Sequence, residues 1–490
     1  MRSLRSPRSE LPESRGWAGT SPRSRRRGEL IAVAATLLAV ALVAACSSSD
    51  KVTATPRPAP VIGDWNGVLP LPDQQLPIGV TFTEDGGSVT VPAQAIFDLP
   101  LEQVDTTPDA IAFTIPGLPG DPHFTGRYDR RADTVTGTFT QSGHDLALTM
   151  HRGKVPAPLR PQEPHPPWPY LSEDVGYRSS DGTHIAGTLT RPRGPGPYPA
   201  VVLVSGSGPQ DRNEEIAGHK PFLLLADTLT RAGYAVLRTD DRGVGGTGGQ
   251  LDTCSYTDLT DDIMAGLGYL RSRPDIDGNH IGLLGHSEGG YLAPLAATRP
   301  DSRLAFVIMM AGPAVPGSEV LLAQNQLLLR SEHADADAIR KQVGYITTLT
   351  TLIRTGDDEQ VRRFATEHND SLPPEQRQSQ SALDQLTTPY FQALVDYDPA
   401  PALQALRIPV LAFYGSKDMQ VPAAQSAPAA RTDLAGDPNA DVHVFDGLNH
   451  LMQPADTGSP KEYPTIETTI APEVLSYVTT WLGKYVTPVP

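Results

Sequence analysis

The sequence predicts an α/β domain: a mostly parallel central sheet with helices on both faces and an inserted helical cap, preceded by a small antiparallel β module. Three observations carry this. After residue 171, apolar β-branched runs ("PAVVLVSGSG", "GYAVLRTDD", "HIGLLGHS", "LAFVIMMAG", "IPVLAFYGS", "DVHVFDG") alternate with helical stretches such as "PFLLLADTLTRAG" and "TDLTDDIMAGLGYLRSR". Strands that are apolar on both faces belong in a parallel sheet covered by helices. At about 318–395 the alternation stops and helical sequence takes over ("SEVLLAQNQLLLRSEH", "IRKQVGYITTLTTLIRT"), which predicts the cap. Before all this, residues 62–152 alternate with period two between closely spaced turns, as short antiparallel strands do.

The elements follow in order. Residues 1–45 end in a basic region (Arg23, Arg25, Arg26, Arg27) and an apolar run from Leu30 to Ala45, a pattern shaped like a secretory signal and short for a spanning helix. "VAAC" resembles a bacterial lipobox, which predicts lipidation at Cys46. The chain is then expected to be exported and anchored to the outer face of the cytoplasmic membrane or the cell envelope. Residues 46–61 read as a flexible polar tether. In 62–152, "PIGVTFT", "GSVTVPA", "AIAFTI" and "DTVTGTF" are strands and "EDGG" a hairpin turn. Its histidines, His123, His144 and His151, are scattered and read as solvated rather than as metal ligands. Residues 153–171 contain seven prolines within "KVPAPLRPQEPHPPWPY" and read as a stiff linker. "EDVGYRSSDGTHIAGTLTRP" opens the main domain, 172–487, as a hairpin around Asp181 and Gly182.

Charge narrows the partners. The net charge is −16; the first 45 residues hold eight arginines and three glutamates, leaving 32 basic against 53 acidic residues and −21 for the rest. Such a body repels nucleic acid. Only Cys46 and Cys254 are present, so with Cys46 lipidated no intramolecular disulfide forms.

"GVGGTG" (243–248) matches a dinucleotide fingerprint. The intervening "GQLDTCSYTD" delays the next helix, however, and the acids Asp261 and Asp262 fall inside that helix instead of ending a strand. It reads as a flexible turn, and neither a cofactor nor a metal is expected. "GHSEGG" is different. The strand "IGLLG" runs into it and "GGYLAPLAATR" continues as a helix, which is the setting of a Gly-x-Ser-x-Gly nucleophile elbow. Ser287 is the candidate nucleophile, with the Glu288 N–H facing a developing oxyanion at the helix start. A serine hydroxyl needs a base, and the base an orienting acid. Asp418 ("GSKDMQVP") and His450 ("GLNHLMQP") each follow a later buried strand, in the order such sites require. Asp446 is the substitute acid. The glycine-rich turn "SGSG" offers the Ser207 backbone as second oxyanion donor. Asp240, Asp241 and Arg242 read as a structural turn with an ion pair, His286 as facing the protein, and His219 is left open.

Together, "SGSGPQDRNE", "GHKPFLLLAD", "LRTDDRGVGGTGG", "GHSEGG", "GSKDMQVP" and "LNHLMQPADTGSPKEY" resemble the α/β-hydrolase superfamily, in its exported bacterial esterase or serine-aminopeptidase-like branch, over roughly 172–487. The resemblance implies an α/β-hydrolase fold with Ser287 as nucleophile, Asp418 as acid and His450 as base. It also implies an oxyanion hole from the Ser207 and Glu288 backbone. "DDRGVGGTGG" departs slightly from relatives that carry serine or threonine after "GVG-x". The expected activity is cleavage of a small ester or acyl substrate through an acyl-enzyme. Peptidase, thioesterase and acyltransferase chemistry use the same groups, and an aminopeptidase would need an acidic anchor such as Glu319, Glu332 or Asp335 of the cap. A non-catalytic envelope-binding lipoprotein is the alternative of another class.

Overall fold

A computed structural model describes residues 61–488 apart from 72–74, 95, 108–109, 117, 119, 121, 157–158 and 374–375. The signal-like segment, Cys46 and most of the tether lie outside the described residues.

The N-terminal strands are β1 (Gly63–Pro70), β2 (Gln75–Phe82), β3 (Gly87–Val91), β4 (Ile96–Pro100), β5 (Glu102–Thr106), β6 (Ile111–Thr114), β7 (His123–Asp129), β8 (Thr134–Gln141) and β9 (His144–Arg152). They form one antiparallel sheet in the order β4-β3-β2-β1-β9-β8-β7-β6-β5. Its alternate side chains, among them Trp65, Ile78, Val80, Phe113, Phe124 and Met150, make a core of their own. Trp65 is fully buried and satisfies its indole N–H on the Val61 carbonyl at 2.7 Å.

The proline-rich segment that follows is fastened to the main domain. The Arg160 guanidinium donates to the carbonyls of Ala217, Gly218, Pro464 and Ile466 at 2.9–3.1 Å. Gln162 bonds the Ile470 carbonyl and accepts from the Thr469 and Ile470 N–H groups. The prolines suggested a stiff linker. The docking was not legible, because a planar fork of donors finds its carbonyls only after both partner loops have folded.

The main sheet has β10 (Leu171–Arg178), β11 (His184–Arg191), β12 (Tyr198–Val204), β13 (Ala235–Thr239), β14 (Ile276–His286), β15 (Val307–Met310), β16 (Val410–Gly415) and β17 (Asp441–Phe445). The order is β10-β11-β13-β12-β14-β15-β16-β17, with the pairs β10–β11 and β11–β13 antiparallel and the remaining neighbour pairs parallel. The helices are α1 (Pro221–Arg231), α2 (Tyr256–Arg271), α3 (Gly289–Ala297), α4 (Gly317–Ser331), α5 (Ala336–Thr355), α6 (Asp358–Ser371), α7 (Gln380–Gln385), α8 (Pro389–Asp396), α9 (Ala400–Ala405), α10 (Ala423–Asp433) and α11 (Pro472–Tyr485).

One face of the sheet packs on α1 and α11, where Phe222, Leu225, Val478 and Trp481 meet Val201, Leu203, Ile308 and Phe413. The other packs on α2, α3 and α10, where Ile263, Leu267, Tyr291 and Ala427 meet Val202, Leu283, Met309 and Ala412. Between β15 and β16, α4 to α8 build a cap with its own small core of Ile346, Leu349, Ile353, Val361 and Val395. From β12 the chain moves to β13 on one side, then to β14 and onward on the other. A crevice therefore opens at the carboxyl ends of β12 and β14, the place where open α/β sheets bind ligands.

Candidate active site

Ser287 follows β14 at that crevice. Its φ is +51°, a left-handed conformation that costs a non-glycine residue about 1–3 kcal/mol. Crowding on both sides enforces the turn. A Cβ at Gly285 would lie 1.9 Å from the Gly289 carbonyl oxygen, and one at Gly289 would lie 2.1 Å from that of Val204. The Ser287 N–H is tied to the Met310 carbonyl at 2.9 Å, and its own carbonyl accepts from Gly290 at 2.8 Å as α3 begins. Ser287 is half-exposed, whereas His286, Glu288 and Gly289 around it are buried.

Asp418 and His450 come from the loops after β16 and β17. Asp418 Oδ1 accepts from the N–H groups of Gln420 and Val421, both at 2.8 Å, which fixes the carboxylate. Its Oδ2 lies 2.8 Å from His450 Nδ1, and both side chains are enclosed, at 0% and 2% exposure. A carboxylate can only accept, so Nδ1 donates, and in the neutral imidazole Nε2 is the nitrogen without a proton. The His450 loop is shaped by Asn449, whose side chain accepts from Leu451 and Gln453 and donates to Gln453 Oε1.

The loop after β12 lies against this group: a Cβ on Gly206 would sit 3.2 Å from that of Ser287. Its three consecutive N–H groups have different fates. Gly206 donates to Glu214 Oε1 at 2.7 Å and Gly208 to the Tyr390 hydroxyl at 2.8 Å. Among the described residues, those of Ser207 and Glu288 have no partner. The sequence reading missed Glu214. The same Glu214 oxygen lies 2.8 Å from His286 Nδ1, and His286 Nε2 lies 3.2 Å from the His450 carbonyl. With two acceptors facing it, the imidazole donates from both nitrogens. Burial opposes its charge, but Glu214 and these bonds outweigh burial and hold its pKa above the usual value. Glu214 and His286 thus seat the elbow, the Gly206 loop and the His450 backbone from below. Neither residue shows a local pattern that could have revealed this.

A family model described as serine aminopeptidase, S33, matches residues 219–454, from the start of α1 through the His450 loop. Esterase EstD of Thermotoga maritima is 32% identical over 271 residues, 55% of this chain and 58% of EstD. The chain thus spans somewhat more than half the length of that relative.

The chain has an α/β-hydrolase fold.

A 31.7 kDa protein from the traX–finO intergenic region of Escherichia coli is 24% identical over 259 residues, 51% of this chain and 82% of that protein. Of solved structures, the Pyrococcus furiosus esterase Pf2001 aligns with a TM-score of 0.40 at 16% identity, over 68% of this chain and 98% of its own.

A cavity of about 60 Å³ lies behind the β12 loop, bounded by Ser205, Asp241, Glu288 and Tyr390 among others. Burial pushes the Glu288 carboxyl up to about 7, against the pull of the Tyr390 and Tyr256 hydroxyls. Neither Glu288 Oε1 nor the Tyr256 hydroxyl completes a hydrogen bond.

Burial likewise pushes Asp241 up to about 8, although Ser205 and the Gln210 N–H bond it at 2.7 and 2.9 Å; Glu288 and Glu214 nearby add to the rise. The folded state therefore holds a proton that the unfolded chain loses near pH 4, and stability falls as pH climbs from about 4 to 8. Asp241→Asn mimics the protonated form, donating to Ser205 Oγ and accepting from Gln210. Thermal melts should show it near wild type at pH 5 and increasingly more stable than wild type by pH 9. An offset independent of pH would refute the assignment. The residue keeps some solvent contact, so the effect is smaller than full burial would give.

The other expected residues sit apart from the reacting centre. Asp446 is exposed and accepts from Ser416, not from His450. Asp240 pairs with Arg212, and Arg242 with Asp262 and Asp181. His219 bonds Thr469 and the Tyr463 carbonyl, which holds the loop beyond His450. "GVGGTG" is firmly tied: Gly248 donates to His184, and Thr247 bonds the Asp240 carbonyl and the Ala186 N–H. The turn expected to be flexible is hydrogen-bonded onto β11 through the buried Thr247 side chain. In the cap, Glu319 is exposed, Asp335 caps α5, and Glu332 pairs with Lys461. Cys254 is buried with a free thiol. Among the described residues no group of three or more His, Cys, Asp or Glu side chains could hold a metal ion.

Proposed function

We propose that this α/β-hydrolase cleaves carboxylic esters through an acyl-enzyme on Ser287. One observation carries the reading. A buried Asp418–His450 pair packs on the His286 ring, at 4.8 Å between centroids, directly beside a strained, half-exposed serine and two backbone N–H groups without a partner. His450 Nε2 takes the Ser287 proton as Oγ bonds to the ester carbonyl carbon. The Ser207 and Glu288 N–H groups receive the oxyanion, and His450 returns the proton to the departing alkoxide. Water, deprotonated by the same imidazole, then attacks the acyl-enzyme; collapse frees the acid and restores Ser287. Similarity to a protein named esterase supports ester substrates. An aminopeptidase reading lacks its acidic anchor at Glu319, Glu332 and Asp335, which are exposed or engaged elsewhere.

The test is labelling of the purified chain with a fluorophosphonate, with the adduct located by peptide mass spectrometry. A single adduct on Ser287, lost on heating, is expected, together with hydrolysis of short p-nitrophenyl esters. A folded chain that takes no label refutes the reading and favours a binding lipoprotein.

The location proposed with it is the outer face of the membrane or cell envelope, through a lipid on Cys46, supported by the signal-like sequence before it. Cys46→Ala should move the expressed protein from the detergent to the aqueous phase in Triton X-114 partitioning. Retention in detergent would instead indicate an uncleaved signal anchor.

A further inference from the structure

The proposed oxyanion hole draws on two loops, and its donors must be held in register. Glu214 ties them through the Gly206 N–H and His286, and a second connection is a side chain of the cap. Tyr390, the second residue of α8 and buried, accepts from the Gly208 N–H at 2.8 Å and donates to Glu288 Oε2 at 2.5 Å. Gly208 directly follows Ser207, and Glu288 supplies the other N–H. We infer that Tyr390 is a positioning residue of the oxyanion hole, bridging the Gly208 part of one loop to Glu288 of the other so that the hole is fully in register only while the cap is seated. This rests on the serine-hydrolase reading above.

The bridge has a fixed direction. An amide N–H can only donate, so the Tyr390 oxygen accepts from Gly208 and spends its single O–H on Glu288. Glu288 offers an acceptor oxygen whether or not it is protonated. The cap in turn holds α8 in place. Thr388 caps its first turn, Gln392 bonds Asp358 of α6 at 2.7 Å, and the Tyr397 carbonyl receives the N–H of Gly317, where α4 begins. A shift of α8 therefore strips Gly208 of its acceptor and loosens the stretch bearing Ser207 between its ties at Gly206 and Gln210.

Tyr390→Phe removes the hydroxyl and keeps the ring. Loss of an oxyanion donor outright costs about 10²–10³ in kcat, so loss of its positioning is expected to lower kcat for a short p-nitrophenyl ester by about 10–100-fold. KM should stay within about threefold, since the ground-state carbonyl makes little use of the hole. The inhibition constant of an alkyl trifluoromethyl ketone, whose hemiketal oxyanion occupies the hole, should rise by the same factor as kcat falls. Tyr397→Phe is the control. It deletes a cap hydroxyl that has no hydrogen-bond partner and should leave kcat within about twofold.

A folded Tyr390→Phe with kcat within twofold of wild type overturns the inference. So does a loss confined to KM, or one matched by Tyr397→Phe. If Tyr390→Phe does not fold, Glu288 decides. Glu288→Gln keeps an acceptor for Tyr390 and Glu288→Leu does not, so Gln should retain at least about tenfold more activity; equal activity overturns the proposal. Wild-type protein that neither hydrolyses esters nor labels at Ser287 refutes the proposed function and this inference with it. An active wild type with an unaffected Tyr390→Phe refutes the positioning role alone.

Discussion

Ser287→Ala is expected to lower kcat for a short p-nitrophenyl ester by about 10⁵–10⁶-fold while the protein stays folded. In the proposed mechanism, removing Oγ removes the atom that forms the acyl bond, so what remains is hydrolysis by water beside the same backbone N–H groups. Nothing in the turn depends on the hydroxyl. The Ser287 N–H bonds Met310, its carbonyl receives Gly290, and no hydrogen bond of the side chain is needed to hold the φ of +51°. Alanine inherits the same backbone strain, so the melting temperature should change little. Fluorophosphonate labelling should vanish in parallel. Substantial turnover by a folded Ser287→Ala, or a label on another serine, would move the nucleophile elsewhere.

Asp418→Asn is the more discriminating substitution, with an expected loss of about 10⁴ in kcat. Its effect follows from which oxygen does what. Oδ1 accepts from the N–H groups of Gln420 and Val421, and the amide oxygen of asparagine must stay there to satisfy them. The NH2 group then faces His450 Nδ1. It can only donate, so Nδ1 must accept and the imidazole proton moves to Nε2. That tautomer presents a proton where Ser287 requires a base. The loop keeps its hydrogen bonds, so the melt should be close to wild type while labelling at Ser287 slows with kcat. A folded Asp418→Asn within about tenfold of wild type would mean that His450 is oriented by something other than Asp418.

Much of the fold was legible because its signals are local. Runs such as "YPAVVLV" are buried end to end in β12, and the helices between them carry one apolar face each. The elbow was legible for a similar reason. Gly285 and Gly289 flank Ser287 because a side chain there would collide with backbone, and that need leaves a mark in the sequence. Asp418 and His450 could be singled out by their places after β16 and β17. Only their hydrogen bond required folding to bring together residues 32 positions apart.

Other features left no such mark. Glu214 sits in an ordinary polar stretch, yet it is fully buried and holds both His286 and the Gly206 N–H. Tyr390 is one tyrosine among several in the cap. The "stiff linker" gave no hint that Arg160 would find four carbonyls on two distant loops.

By itself the sequence determined the layers of this α/β-hydrolase, the serine's strained turn and the order of the candidate acid and base. Each depends on residue type and spacing along the chain, which local sterics and hydrophobic periodicity read directly. The tertiary structure alone decided which backbone N–H groups stay unpaired, which carboxyls hold protons near neutrality, and which cap hydroxyl spans the oxyanion loops. Those outcomes depend on desolvation and on donors meeting acceptors across long sequence separations, and both exist only once the sheet, the loops and the cap have closed on one another.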